Sequence, residues 1–248
     1  MSIVSTNPSL SVDRRSPTPA AVLTGVAKSY QVESVAVEAL RGIDLMIRSQ
    51  RVTVIAGPSG SGKTTLLNLI GCIDRPDRGQ LIVAGTAVDE LPDDALSDFR
   101  AENLGFVFQN FNLIPVLTAY ENVEYPLRLV NMPPAQRRER VREVLASVGL
   151  SDHERRRPGQ LSGGQQQRVA IARALAAAPR MILADEPTAN LDSHTGAAII
   201  ELLQRLRRDH CVSVVISSHD PKVIAAADDT VIIRDGQRLS ATCSLEAL

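Results

Sequence analysis

Gly57-Pro58-Ser59-Gly60-Ser61-Gly62-Lys63-Thr64 constrains this chain more than any other segment. It has the form GxxxxGK[ST] and follows a short apolar run, Arg51 to Ala56. The stretch after it, Lys63 to Ile73, carries Leu66, Leu67, Leu69 and Ile70 at helical spacing. Strand, glycine-rich loop and helix in that order are the context a phosphate-binding loop requires. Glycines let the backbone wrap so that successive N–H groups face phosphate oxygens, and the helix adds its positive end. Lys63 would then reach the β- and γ-phosphates, and the Thr64 hydroxyl would ligate Mg²⁺. A glycine-rich turn could match the pattern by chance, but its flanks argue otherwise.

The rest of the chain supplies a parallel α/β core around that loop. Val22 to Tyr30 and Val37 to Ile47 read as strands joined by a polar turn at Gln31 to Ser34, and Leu81 to Ala84 as a hairpin strand. From Pro92 to Ala178 the pattern is largely helical, broken at Gly105 to Thr118 and at Met132 to Pro134. Its middle, residues 110–158, is expected to form an inserted helical lobe. Parallel-strand signals return at Met181 to Ala184 and Val212 to Ser217, with a helix between them near Thr195 to Arg208. A last hairpin should turn at Asp235-Gly236.

Two further segments carry chemistry. Met181 to Ala184 ends in Asp185-Glu186. A buried strand would deliver Asp185 beside the phosphate loop to hold Mg²⁺, and Glu186 one residue on to polarise an attacking water. Alone, such an acidic pair is more often a turn or a cap. Leu161-Ser162-Gly163-Gly164-Gln165 precedes a helical run, Gln166 to Ala178, so Ser162 reads first as an N-cap. A helix N-terminus bearing a hydroxyl is an anion site as well.

Phosphate loop, LSGGQ and Asp-Glu strand, in this order, resemble the nucleotide-binding subunit of ABC transporters over residues 22–240. The resemblance implies a phosphate-loop ATPase core with a parallel sheet, an antiparallel β subdomain and an inserted α-helical subdomain, spanning residues 21–248. It also implies a head-to-tail dimer in which each ATP lies between one copy's phosphate loop, Gly57 to Thr65, and the other's Ser162, Gly163, Gly164 and Gln165. It assigns Gln109 to Mg²⁺ sensing and contact with a membrane partner, and His219 to the γ-phosphate. Asp192, in Ala189-Asn190-Leu191-Asp192, would link the two sites. Tyr30 would stack on adenine, although a tyrosine at a strand end is commonly half-buried packing.

The continuations Thr65 to Pro76, Gly105 to Val123 and Gln165 to Ala174 look like the lipoprotein-releasing and macrolide-exporter branch. Its permeases usually have four membrane helices per chain and often transmit motion. No permease follows before Leu248, so a separate polypeptide is expected, with this chain peripheral on the cytoplasmic face of the membrane. Ala189 and Ser217-Ser218 depart from the branch's usual residues without removing a reacting group. Soluble relatives acting on DNA or ribosomes usually carry two cassettes or long insertions, absent here, and a non-hydrolysing binder would not need Lys63, Asp185, Glu186 and His219 together.

Composition agrees with this. Net charge is −1, and basic runs such as Arg137-Arg138 and Arg155 to Arg157 are interleaved with glutamates, so no nucleic-acid partner is expected. Aromatics are 3% with no Trp, too few for a stacking platform. Met1 to Ala20 is rich in Ser, Pro, Thr and Asn and reads as a disordered tail. Cys72, Cys211 and Cys243 lack CxxC spacing and read as reduced thiols, two of them buried.

Overall fold

Period-two alternation in the buried strands builds the molecule in layers. In the computed structural model, which describes residues 18–33 and 35–239, strand β3 (Val52–Ala56) is buried at every position. Val54 faces one core cluster and Ile55 the other. The same holds in β7 (Met181–Asp185) and β8 (Ser213–Ser218). There Ile182, Ala184, Val214 and Ile216 join the first cluster, and Met181, Leu183 and Val215 the second. A sheet covered on both faces has no polar side, so its strands carry near-continuous apolar runs.

That sheet has the order β10-β9-β3-β8-β7-β6, where β6 is Leu104–Val107, β9 is Asp229–Arg234 and β10 is Gln237–Arg238. All neighbours are parallel except the closing β9–β10 hairpin. It turns at Asp235-Gly236, both at positive φ. The edge strand β6 departs from the sequence pattern, in which Gly105 onward is a break between helical stretches. Four residues containing a glycine carry too little periodicity to announce a strand, and it is the pairing of Leu104–Val107 with Met181–Ala184 that makes one.

The second cluster lies between this sheet and an antiparallel one of order β2-β1-β4-β5, comprising β1 (Ala21–Val32), β2 (Val35–Ile47), β4 (Arg78–Val83) and β5 (Thr86–Ala87). Helix α1 (Lys63–Ile70) sits in that layer, burying Leu66, Leu67, Leu69 and Ile70. It is followed in the chain by α2 (Asp93–Asn103). The first cluster runs unbroken from the sheet into the helices α3 (Ala119–Leu129), α4 (Pro134–Ser147) and α5 (Gly163–Ala176), through Val123, Leu127, Val141, Val144, Val169 and Leu175. Helix α6 (Ser193–His210) covers the same face beside the short α7 (Pro221–Ala225), a helix the sequence reading did not anticipate.

Cys72 is buried, its thiol pushed up to about 12 by desolvation, whereas Cys211 is exposed. Of the tail expected over residues 1–20, residues 1–17 lie outside the described residues, as do the chain beyond residue 239 and Cys243. Ala20 corrects that expectation: it is buried, and its backbone pairs with Ile47 and Ala84. No helix among the described residues is long and apolar enough to cross a membrane.

Candidate active site

The loop between β3 and α1 has its shape because three of its positions tolerate no side chain or need positive φ. A Cβ on Gly57 would lie 2.1 Å from the Ile233 carbonyl oxygen, and one on Gly62 2.6 Å from that of Ala39. Gly62 is the N-cap of α1 at φ 104° and supplies no side chain to the helix end, and the first turn holds no acidic residue. The helix start is therefore left for a ligand anion. The Ser61 hydroxyl oxygen is buried and has no hydrogen-bond partner among the described residues. Lys63 is buried too, and its Nζ donates to the carbonyl oxygens of Gly57 and Pro58, both at 2.9 Å. Among the described residues that ammonium is hydrogen-bonded only to its own loop.

Neighbouring strand ends bring the acidic pair to the same place. The Thr64 hydroxyl lies 3.3 Å from each carboxylate oxygen of Asp185. Ser217 at the end of β8 donates its hydroxyl to the same carboxylate. It also receives the Glu186 N–H on its carbonyl at 3.1 Å and its Oγ at 3.2 Å. Glu186 has φ 44°, and one of its carboxylate oxygens is 2.8 Å from His219 Nδ1.

Lys63, Thr64, Thr65, Gln109, Glu186 and His219 share one cavity of about 740 Å³ with Pro58, Ser59, Gly60 and Gly62. Its other walls, Val37 to Ala39 with Arg41 from β2 and Asp235-Gly236 from the last hairpin, carry no motif and were not legible in the sequence. Tyr30 is outside the lining, 38% exposed. It pairs with Val37, a wall residue, and cross-strand partners share a sheet face, so it stands beside the mouth. Its hydroxyl donates to Asp74 at 2.8 Å, and Lys28 Nζ lies 5.3 Å from the ring centroid. Burial, then the bond to Asp74, raises the phenol; Lys28 and Tyr30 together hold Asp74 below the usual carboxylate range against the pull of burial.

The LSGGQ segment lines none of this cavity. Ser162 caps α5 in a capping box: its Oγ accepts from Gln165 N–H at 3.3 Å, and Gln165 Oε1 accepts from Ser162 N–H at 2.9 Å. Asp192 caps α6, accepting from the N–H groups of His194 and Thr195 and from the Thr195 hydroxyl, and these bonds lower its pKa. Three positioning contacts escaped the sequence reading. Besides Ser217, Gln167 donates to the Pro187 carbonyl at 2.6 Å, and Arg173 donates to the carbonyls of Phe111 and Asn112, just past Gln109. Burial lowers the Arg173 guanidinium pKa.

A family model described as ABC transporter matches residues 40–189. The chain belongs to the ABC transporter family. An uncharacterized ABC transporter ATP-binding protein of Thermotoga maritima is 47% identical over 215 residues, covering 87% of this chain and 92% of that protein. The macrolide export ATP-binding/permease protein MacB 1 of Yersinia pestis is 45% identical over the same share of this chain, which spans only 33% of that protein's length. Among solved structures, the dimeric ATP-binding cassette MJ0796 bound to ADP and Pi superposes with a TM-score of 0.81 at 43% identity, covering 89% of this chain and 97% of that one. This chain thus has the ABC ATPase fold and is an ATPase of that family, consistent with its MacB-like branch.

Proposed function

We propose that this ABC ATPase works as a head-to-tail dimer that powers a separate membrane permease from the cytoplasmic face, by export or by transmitting motion. The observation that carries the dimer is the separation of the two motifs. Phosphate loop, Gln109, Glu186 and His219 surround one cavity, while Ser162 to Gln165 lie outside its lining. One copy therefore offers two half-sites, and a second copy completes each. The dimeric MJ0796 cassette supports this reading.

Within a half-site the phosphate loop and Lys63 bind the β- and γ-phosphates, and Tyr30 covers the adenine. The donor set suits Mg²⁺: a hydroxyl and a carboxylate, both hard oxygens, with no cluster of three or more His, Cys, Asp or Glu among the described residues that could form an all-protein cage. Thr64, Asp185 and Gln109 would hold the ion, which when bound neutralises phosphate charge. Glu186 takes the proton of the attacking water as its oxygen bonds to the γ-phosphorus, and the bridging bond breaks with its electron pair leaving on ADP. His219 meets one Glu186 oxygen through Nδ1, leaving the other oxygen for the water, and its ring is assigned to the γ-phosphate end of the site. Lys63 stabilises the charge that builds on the transferred group. The partner copy's Ser162, Gly163, Gly164 and Gln165 close over that phosphate, and Asp192 lies where the two sites communicate.

The lobe over residues 110–158, with α3 and α4, is the part assigned to the permease, held by Arg173 through the segment after Gln109. In the macrolide export protein of Yersinia pestis the permease is part of the same chain; here it is assigned to another polypeptide, with four membrane helices per chain as in the exporter branch. Ser162→Arg puts a cationic side chain where the partner's nucleotide must seat. ATP turnover should fall by at least about tenfold while ATP binding persists. Unchanged turnover would remove the shared site.

A further inference from the structure

The peptide carrying Glu186 is gripped from both sides. Upstream, the Glu186 N–H is bound by Ser217. Downstream, the Pro187 carbonyl accepts from Gln167 Nε2 at 2.6 Å. Between these holds Glu186 sits in the left-handed region at φ 44°, which a residue with a Cβ keeps only when its surroundings impose it.

Gln167 is a poor choice for packing alone. It is fully buried, and its Oε1 meets no hydrogen-bond donor among the described residues. An apolar side chain of the same length would spare that oxygen but would leave the carbonyl of buried Pro187 without this donor. What the glutamine uniquely supplies there is a donor aimed at one carbonyl, next to the general base. Its position on α5 is also telling, one turn past Gly163 and Gly164. That turn packs on the same downstream segment: a Cβ on Gly164 would lie 2.5 Å from Thr195, and one on Gly163 3.4 Å from Leu191.

We propose that Gln167 is a positioning residue that ties the signature helix to the Glu186-Pro187 peptide, so that seating the signature on one nucleotide sets the general base of the same chain's other half-site. This rests on the reading of Glu186 as the base and of the signature as a partner-site element. The test is steady-state ATP hydrolysis by the full chain carrying Gln167→Met, which keeps length and bulk but loses the donor, with Gln167→Leu as a second variant. The expected result is a kcat lower by about 10- to 100-fold, with KM for ATP within about twofold. A wild-type kcat would overturn the proposal. So would a loss in kcat matched by weaker ATP binding and a lower midpoint in both variants, since that is a purely structural role. Glu186→Gln, run alongside, separates the two levels. If it hydrolyses normally, the base assignment falls and this inference with it. If it is inert while Gln167→Met is normal, only the coupling falls.

Discussion

Gly57 shows how tightly the site is specified at the scale of one residue. A Cβ there would sit 2.1 Å from a backbone oxygen of β9, whereas Gly60, at φ 77°, has nothing within 4 Å of its missing Cβ. Gly57→Ala should therefore force β3 and β9 apart and cost about 1–3 kcal/mol. Gly60→Ala should cost only its backbone strain, about 1 kcal/mol. Urea unfolding of both variants, with ATP binding, checks this; equal losses would contradict the model of the loop. Lys63, Thr64, Asp185 and Glu186 were legible in the sequence because each sits at the end of its own strand or the start of its own helix, where local pattern places it. Ser217, Gln167 and Arg173 were not. Their partners lie 32, 20 and 62 residues away, and no local pattern encodes which carbonyl or carboxylate a side chain will meet.

At the scale of elements, α3 is fastened by charge as well as by apolar contacts. Glu124 is buried and accepts from Arg128 on its own helix at 2.7 Å and from Arg137 on α4 at 3.2 Å. Burial opposes its ionisation, but the two guanidinium bonds outweigh it and lower the pKa. A lowered folded-state pKa means the pair stabilises above the unfolded value of about 4.3 and loses that contribution as pH falls through the folded value. Glu124→Gln should thus unfold more easily by about 1–2 kcal/mol near neutral pH, and the gap should close below about pH 4. Denaturant midpoints across that range test it, and a gap that stays constant in acid would contradict it. Element types were readable wherever a period ran for several turns, as in α1 and α5. β6 and α7, at four and five residues, carry too short a period, and their identity comes from the neighbours they dock on.

For the whole molecule, the fold sets its two most recognisable motifs apart. The phosphate loop and the strand ends of β7 and β8 open one cavity, while α5 presents LSGGQ elsewhere. The walls from β2 and the last hairpin show that residues without any motif shape the same cavity. On the proposed reading, catalysis in this ATPase is a property of two copies, with ATP between them as the joint. Light scattering of Glu186→Gln with and without ATP tests that claim most directly. Binding without turnover should hold the dimer closed, so the mass in ATP should be that of two chains, falling to one when the nucleotide is removed. A variant that binds ATP and stays at the mass of a single chain would contradict it.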